Sequence, residues 1–148
     1  MNAFELRVQN DCSLDMHSSE LRILQVNVGF KSNLSCTHCH LECGPERSET
    51  MSLEAMTQVV AAAAELRPEM GDITGGSPGL NPNLRAFIRS LRNEGLRVQC
   101  RTNLTVLLEA GQEDMPEFFR EHRVGLVASL PCYLEENVCA QRGEGTYS

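Results

Sequence analysis

Apolar residues fall along this chain in two alternating rhythms. Short aliphatic and β-branched runs read as strands: LQVNV at Leu24–Val28, GDIT at Gly71–Thr74, the stretch Val98–Thr102, and VGLVASL at Val124–Leu130. Between them lie segments with helical spacing. The first spans about Leu53 to Arg67, with Ser52 as N-cap, Glu54 and Glu65 near its ends, and Pro68 stopping it. The second opens at Asn81-Pro82, sets Leu84, Phe87, Ile88 and Leu91 on one face, and closes with Gly95 as C-cap. A short third helix is predicted over Met115–His122. The fourth strand is apolar enough to predict burial on both faces. Pro131-Cys132-Tyr133 and the polar tail to Ser148 predict no fourth helix.

Strands alternating with helices imply parallel βαβ units, hence an α/β fold. The expected architecture is a partial parallel (β/α) barrel, truncated after about four strands, with an open edge at the last one. With 148 residues the chain is long enough for a real core, and 41% apolar composition fits a globular fold. The net charge of −7 makes nucleic acid an unsuitable partner. No apolar run reaches the ~20 residues that cross a bilayer, so no membrane partner is expected. The N-terminal MNAFELRVQNDCSLD lacks the pattern of a secretory signal. A cytoplasmic location with reduced thiols follows as the expectation.

Seven cysteines in a reducing compartment point toward metal binding, and their odd number argues against a disulfide framework. Cys12, Cys100, Cys132 and Cys139 are scattered and read as small buried hydrophobes or spare thiols. Cys36, Cys39 and Cys43 cluster in FKSNLSCTHCHLECGP, directly after the first strand. The Cys36-x-x-Cys39 pair suits a zinc half-site, a redox pair or part of an iron–sulfur loop, and two packed thiols without a ligand is the plain alternative. His38, His40 and Cys43 are the further donors nearby.

Parallel α/β folds bind ligands at the C-terminal ends of their strands. Here those ends carry the cysteine loop, Gly75-Gly76-Ser77, Asn103, and Ser129-Leu130-Pro131. Their convergence on one site is expected. Gly75-Gly76 permits close backbone approach to a ligand, or is an ordinary tight turn.

The blocks LQVNVGF, CTHCHLECGPERSETM, DITGGSPGLNPNLR, RTNLTVL and SLPCYLEENVCAQRGEG resemble the radical S-adenosylmethionine (SAM) enzymes, and within them the arsenosugar-biosynthesis branch, the radical SAM/Cys-rich domain proteins. The resemblance runs from about Leu24 to the C-terminus. It implies residues 1–23 as an N-terminal extension and 24–148 as the N-terminal part of a radical SAM core, without the C-terminal half and the Cys-rich region. The family pattern is cysteine, three residues, cysteine, two residues, cysteine. Cys36 and Cys39 match the last two, Ser32 falls on the first, and Cys43 is a possible substitute ligand.

The resemblance implies a 4Fe–4S cluster and SAM as cofactors. The cluster's electron cleaves SAM to methionine and a 5′-deoxyadenosyl radical, and the adenosyl group passes to a methylated trivalent arsenical. His38 would pack near the adenine. Gly75, Gly76 and Ser77 fall on the glycine motif along the methionine part of SAM. Asn103 and Ser129 are implied as SAM-ribose or substrate contacts. A small-molecule substrate and an electron donor such as a flavodoxin or ferredoxin are the implied partners. Gly79 is a second departure, because close relatives carry an acid there. Two other readings stand beside this one. One is a non-catalytic protein binding a soft metal or arsenite through Cys36, Cys39 and Cys43. The other is a fragment with no function of its own.

Overall fold

The computed structural model describes residues 2–12, 20–130, 132–143 and 146. Pro131, expected at the end of the fourth strand, lies outside the described residues. Four strands, β1 (Ile23–Asn27), β2 (Met70–Thr74), β3 (Arg97–Thr102) and β4 (Gly125–Ala128), form one parallel sheet in chain order. Helix α1 (Ala3–Cys12) precedes the sheet. Helices α2 (Leu53–Leu66), α3 (Leu84–Asn93) and α4 (Met115–Glu121) sit in the connections, and α5 (Glu135–Arg142) follows β4. This is the expected α/β fold, a partial (β/α) barrel.

Strand alternation sorts residues onto two faces. Val26, Ile73, Val98 and Cys100 join the core with Met56 and Ala63 of α2, the Leu84, Phe87, Ile88 and Leu91 stripe of α3, and Phe118 and Phe119 of α4. Each large core side chain removed from water contributes roughly 1.5–3 kcal/mol. At the intervening positions in the middle of the sheet the residues are polar. Gln25, Asp72 and Gln99 lie in register across β1, β2 and β3, with Arg101 two residues on. Asp72 is 2% exposed. Its carboxylate accepts from Gln25 at 2.9 Å, from Gln99 at 3.1 Å and from Arg101 Nη2 at 2.8 Å.

Local signals place the helix ends. Ser52 Oγ accepts from Ala55 N at 3.2 Å, capping α2 as expected. Arg67 closes that helix in the left-handed region, φ 50°, with its N–H on Ala63 O. Gly95, φ +84°, follows α3 as the residue that tolerates that turn.

Two expectations need correction. β4 is exposed along its length rather than buried on both faces. Among the described residues it pairs only with β3, and its apolar Leu126 and Val127 stay open to solvent. A helix does follow it: α5 runs over Glu135–Arg142 and buries Val138. Its single buried apolar residue gave the sequence no helical stripe. Among the described residues no helix is long and apolar enough to cross a membrane.

Candidate functional site

The C-terminal ends of the strands open on one cavity of about 250 Å³. Its wall takes Ser32, Cys36, His38, Cys39 and Cys43 from the cysteine loop, Gly75 and Gly76 from the end of β2, Asn103 from the end of β3, and Ser129 after β4. The convergence read from the strand order is present. Arg101 and Arg142 also line it. Cys36, Cys39 and Cys43 also border a second, more open hollow, lined otherwise by loop residues such as Ser35, Glu46 and Arg47.

Backbone hydrogen bonds hold the loop against the sheet. Ser32 N donates to Gly44 O, Gly76 N to Gly29 O, and Ser77 N to Lys31 O at 2.8 Å. These contacts explain the two glycines. A Cβ on Gly76 would meet Lys31 O at 2.4 Å, and one on Gly75 would meet Gly29 O at 2.7 Å. Their lack of a side chain therefore serves the seating of the loop on β2, while their other side faces the cavity. Gly79 is set apart. It does not line the cavity, and a Cβ there would meet the Gln112 side chain at 3.4 Å.

Three residues singled out for different roles turn out to share one hydrogen-bond network. Asn103 Nδ2 donates to Ser77 Oγ at 2.9 Å and to Asn33 Oδ1 at 3.1 Å. Asn103 Oδ1 accepts from Thr105 Oγ1 and Val106 N. Both ends of the amide are thus committed to protein partners. Ser77 Oγ gives its proton to Asn33 Oδ1 at 2.9 Å. Ser32 Oγ, 3.1 Å from Ser77 Oγ, must then be the donor of that pair. Ser32 Oγ also accepts from Leu34 N at 3.1 Å. Ser32 is 5% exposed, so this network is what compensates its buried hydroxyl.

The thiols differ in their surroundings. Burial raises the Cys36 pKa, with the Arg142 charge opposing it. Cys39 is lowered: burial works against this, but hydrogen bonds from the backbone at Cys43, Leu41 and Glu42 outweigh it. Cys43 N lies 3.3 Å from Cys39 Sγ. Cys43, 7% exposed, is pushed up to about 11 by burial first and by its contact with Cys39 second. His38 and His40 are exposed.

No family model matches the chain. Among curated proteins it is similar to the GTP 3′,8-cyclase of Peptoclostridium acidaminophilum, 31% identical over 105 residues, 68% of this chain and 32% of that protein. It is also similar to the probable GTP 3′,8-cyclase of Methanococcus vannielii, 28% identical over 68% of this chain and 34% of the relative. The chain thus spans about a third of the length of the curated relatives it matches. Among solved structures, Streptococcus suis SuiB bound to S-adenosylmethionine matches with TM-score 0.68 at 12% identity, covering 93% of this chain and 37% of SuiB. BtrN in complex with AdoMet and 2-DOIA matches with TM-score 0.55 at 18% identity, covering 72% of this chain and 44% of BtrN. The fold is that of the radical SAM superfamily.

A radical SAM fold implies an iron–sulfur cluster on three thiolates. Three thiols border this cavity, so the donor type fits. Their placement fits in part. Ser32, at the first family position, offers a hydroxyl already committed to Ser77 and Leu34. Among the described residues no three His, Cys, Asp or Glu side chains stand ready to hold one metal ion. The radical SAM motif also left several residues unmarked. Asn33, the hub beneath Ser77 and Asn103, could have been seen only as a polar residue inside the loop. Asp72 and Arg101 were signalled by polar residues at matching positions of three adjacent strands. Arg142 lies in the last resemblance block but was not singled out, because the helix that bears it was not expected.

Proposed function

We propose that residues 24–148 are the N-terminal part of a radical SAM core, with residues 1–23 an extension, and that the whole enzyme uses a 4Fe–4S cluster and SAM. The observation that carries this reading is the meeting of the cysteine loop, Gly75-Gly76 and the ends of β3 and β4 around one cavity in a radical SAM fold. When bound, the cluster supplies the electron that cleaves SAM. Cys36 and Cys39 are the residues that would hold it, with Cys43 the remaining thiol at the cavity. His38, Gly75 and Gly76 line the cavity, which supports them as the residues that would contact SAM. Asn103 and Ser77 act through the loop they brace, since their polar atoms are engaged with protein.

The arsenosugar resemblance supports transfer of a 5′-deoxyadenosyl group to a methylated trivalent arsenical as the reaction, with a flavodoxin or ferredoxin as electron donor in the cytoplasm. The curated relatives carry a different reaction in their names, GTP 3′,8-cyclisation. The branch therefore rests on the sequence blocks alone. The test is anaerobic reconstitution of the native chain, Ser32→Cys and Cys36→Ala with iron and sulfide, followed by incubation with SAM, reductant and the arsenical. About four irons should enter Ser32→Cys, fewer the native chain, and almost none Cys36→Ala. An adenosylated arsenical in the mass spectrum would establish the substrate. Absence of an iron–sulfur absorption band from both native and Ser32→Cys chains would refute the cluster.

A second reading is favoured by the three thiols facing two cavities: binding of arsenite or another soft ion by Cys36, Cys39 and Cys43. Stoichiometric arsenite binding that disappears in Cys43→Ala would support it, and unaltered binding in that variant would end it.

A further inference from the structure

Cys43 has no place in the three-cysteine pattern of the family, yet it is the most deeply buried thiol of the loop, 7% exposed. It is buried against Cys39. Cys43 N lies 3.3 Å from Cys39 Sγ, and the two side chains are in contact. The backbone arranges this meeting. Glu42 N donates to Cys39 O at 3.1 Å, which closes a turn over residues 39–42. Glu42 itself takes a left-handed φ of 49°, so the chain doubles back and sets Cys43 beneath the Cys39 side chain. One N–Cα bond of about 1.46 Å separates Cys43 N from its Cα, so Cys39 Sγ stands within about 5 Å of that Cα. A rotation about the Cys43 χ1 bond, rather than a rearrangement of the loop, then brings the two sulfurs to bonding distance. Both are reachable from solvent. They border the cavity and the second hollow alike, and Cys39 is the more exposed of the two.

We propose that Cys43 is a resolving thiol for Cys39: on meeting hydrogen peroxide the pair closes into a reversible disulfide that withdraws Cys39 from metal ligation. The Cys39 sulfur attacks the peroxide O–O bond, giving a sulfenic acid and one water. The Cys43 sulfur then displaces the sulfenic hydroxyl. The S–S bond forms, the S–O bond breaks, and the hydroxyl leaves with the Cys43 proton as a second water. The two thiols lose two electrons and the peroxide gains them. A reducing thiol such as glutathione returns the pair by exchange. A neighbouring thiol that captures the sulfenic acid also spares Cys39 from the irreversible sulfinic stage. The disulfide rests on the loop geometry alone, and its effect on a cluster rests on the radical SAM reading above.

The test uses the full chain, metal-free and reduced, treated with a small excess of hydrogen peroxide. Remaining thiols are blocked with iodoacetamide, the protein is reduced with dithiothreitol, and the thiols so released are tagged with N-ethylmaleimide. Trypsin frees residues 32–47 as one peptide that carries all three loop cysteines. Its fragment masses should place the acetamide on Cys36 and maleimide on both Cys39 and Cys43. In Cys43→Ala, maleimide on Cys39 should fall at least about tenfold, with sulfinic acid in its place. A circular dichroism melt checks that this variant keeps its fold, and the map of the native chain stands without it. The proposal is overturned if the tagged pair is Cys36 and Cys39, if no pair is tagged, or if Cys43→Ala leaves the tag on Cys39 unchanged. The map is made without iron, so it decides the disulfide separately from the reconstitution that decides the cluster.

Discussion

Replacing Ser32 by cysteine should make the metal-free protein less stable and the iron-loaded protein more stable. The first half follows from the network. Ser32 Oγ donates to Ser77 and accepts from Leu34 N, both at 3.1 Å, in a position 5% exposed. A thiol is a weak donor and a weak acceptor, so most of both bonds is lost. At roughly 0.5–1.5 kcal/mol for each neutral hydrogen bond, the cost is about 1–2 kcal/mol. The second half follows from linkage. A third thiolate at the family's first position tightens cluster binding, and whatever binds only the folded state stabilises it. Anaerobic urea unfolding, run once with chelator and once after reconstitution, reads both halves. The reasoning fails if the metal-free variant unfolds within about 0.3 kcal/mol of the native chain, because the network would then hold nothing. It also fails if reconstitution leaves the order unchanged, because position 32 would then not face the cluster.

Three further outcomes are expected. Gly76→Ala should lower the urea midpoint strongly, since its Cβ would lie 2.4 Å from a backbone oxygen, whereas Gly79→Ala should stay within about 0.5 kcal/mol of native because a flexible glutamine tip can move. Asp72→Asn should cost on the order of 1–3 kcal/mol at neutral pH. Burial raises the Asp72 pKa, but hydrogen bonds from Arg101, Gln25 and Gln99 hold it below the usual range. Its stabilising contribution is therefore complete above the unfolded value of about 3.9 and fades as pH falls through the folded one. The variant should accordingly show a flatter loss of Tm below about pH 4. In metal-free protein at pH 8, iodoacetamide should label Cys39 well before Cys43, whose thiol is buried and raised to about 11. Peptide mass spectrometry gives the order, and equal rates would contradict it.

Much of the fold could be read in the chain because the informative residues act locally or at fixed spacing. Leu84, Phe87, Ile88 and Leu91 are all buried, as their helical spacing requires. Ser52 caps as its position before the helix requires. What escaped depends on neighbours far away in sequence. VGLVASL reads as a doubly buried strand in a one-dimensional string, yet among the described residues β4 has a partner on one side only. α5 contributes one buried side chain, too few to make a period. The site shows the same division. The cysteines, glycines and strand ends meet as expected. The network through Asn33 and the cation at Arg142 are created by three-dimensional proximity between residues that no spacing relates.

The hydrogen bond from Thr37 to Gln141 sets an order of assembly. Three of the four strands, β2, β3 and β4, lie between those two residues in the chain. As a polypeptide leaves the ribosome, β1 can pair with β2 and the core can gather on α2 and α3 while this contact is still impossible. Long-separated contacts form late because the intervening chain must first be ordered. The thiol loop is thus made well before the helix that covers it. During that interval its cysteines are exposed to oxidants and to loose metal ions, so α5 decides how long the nascent site stays open.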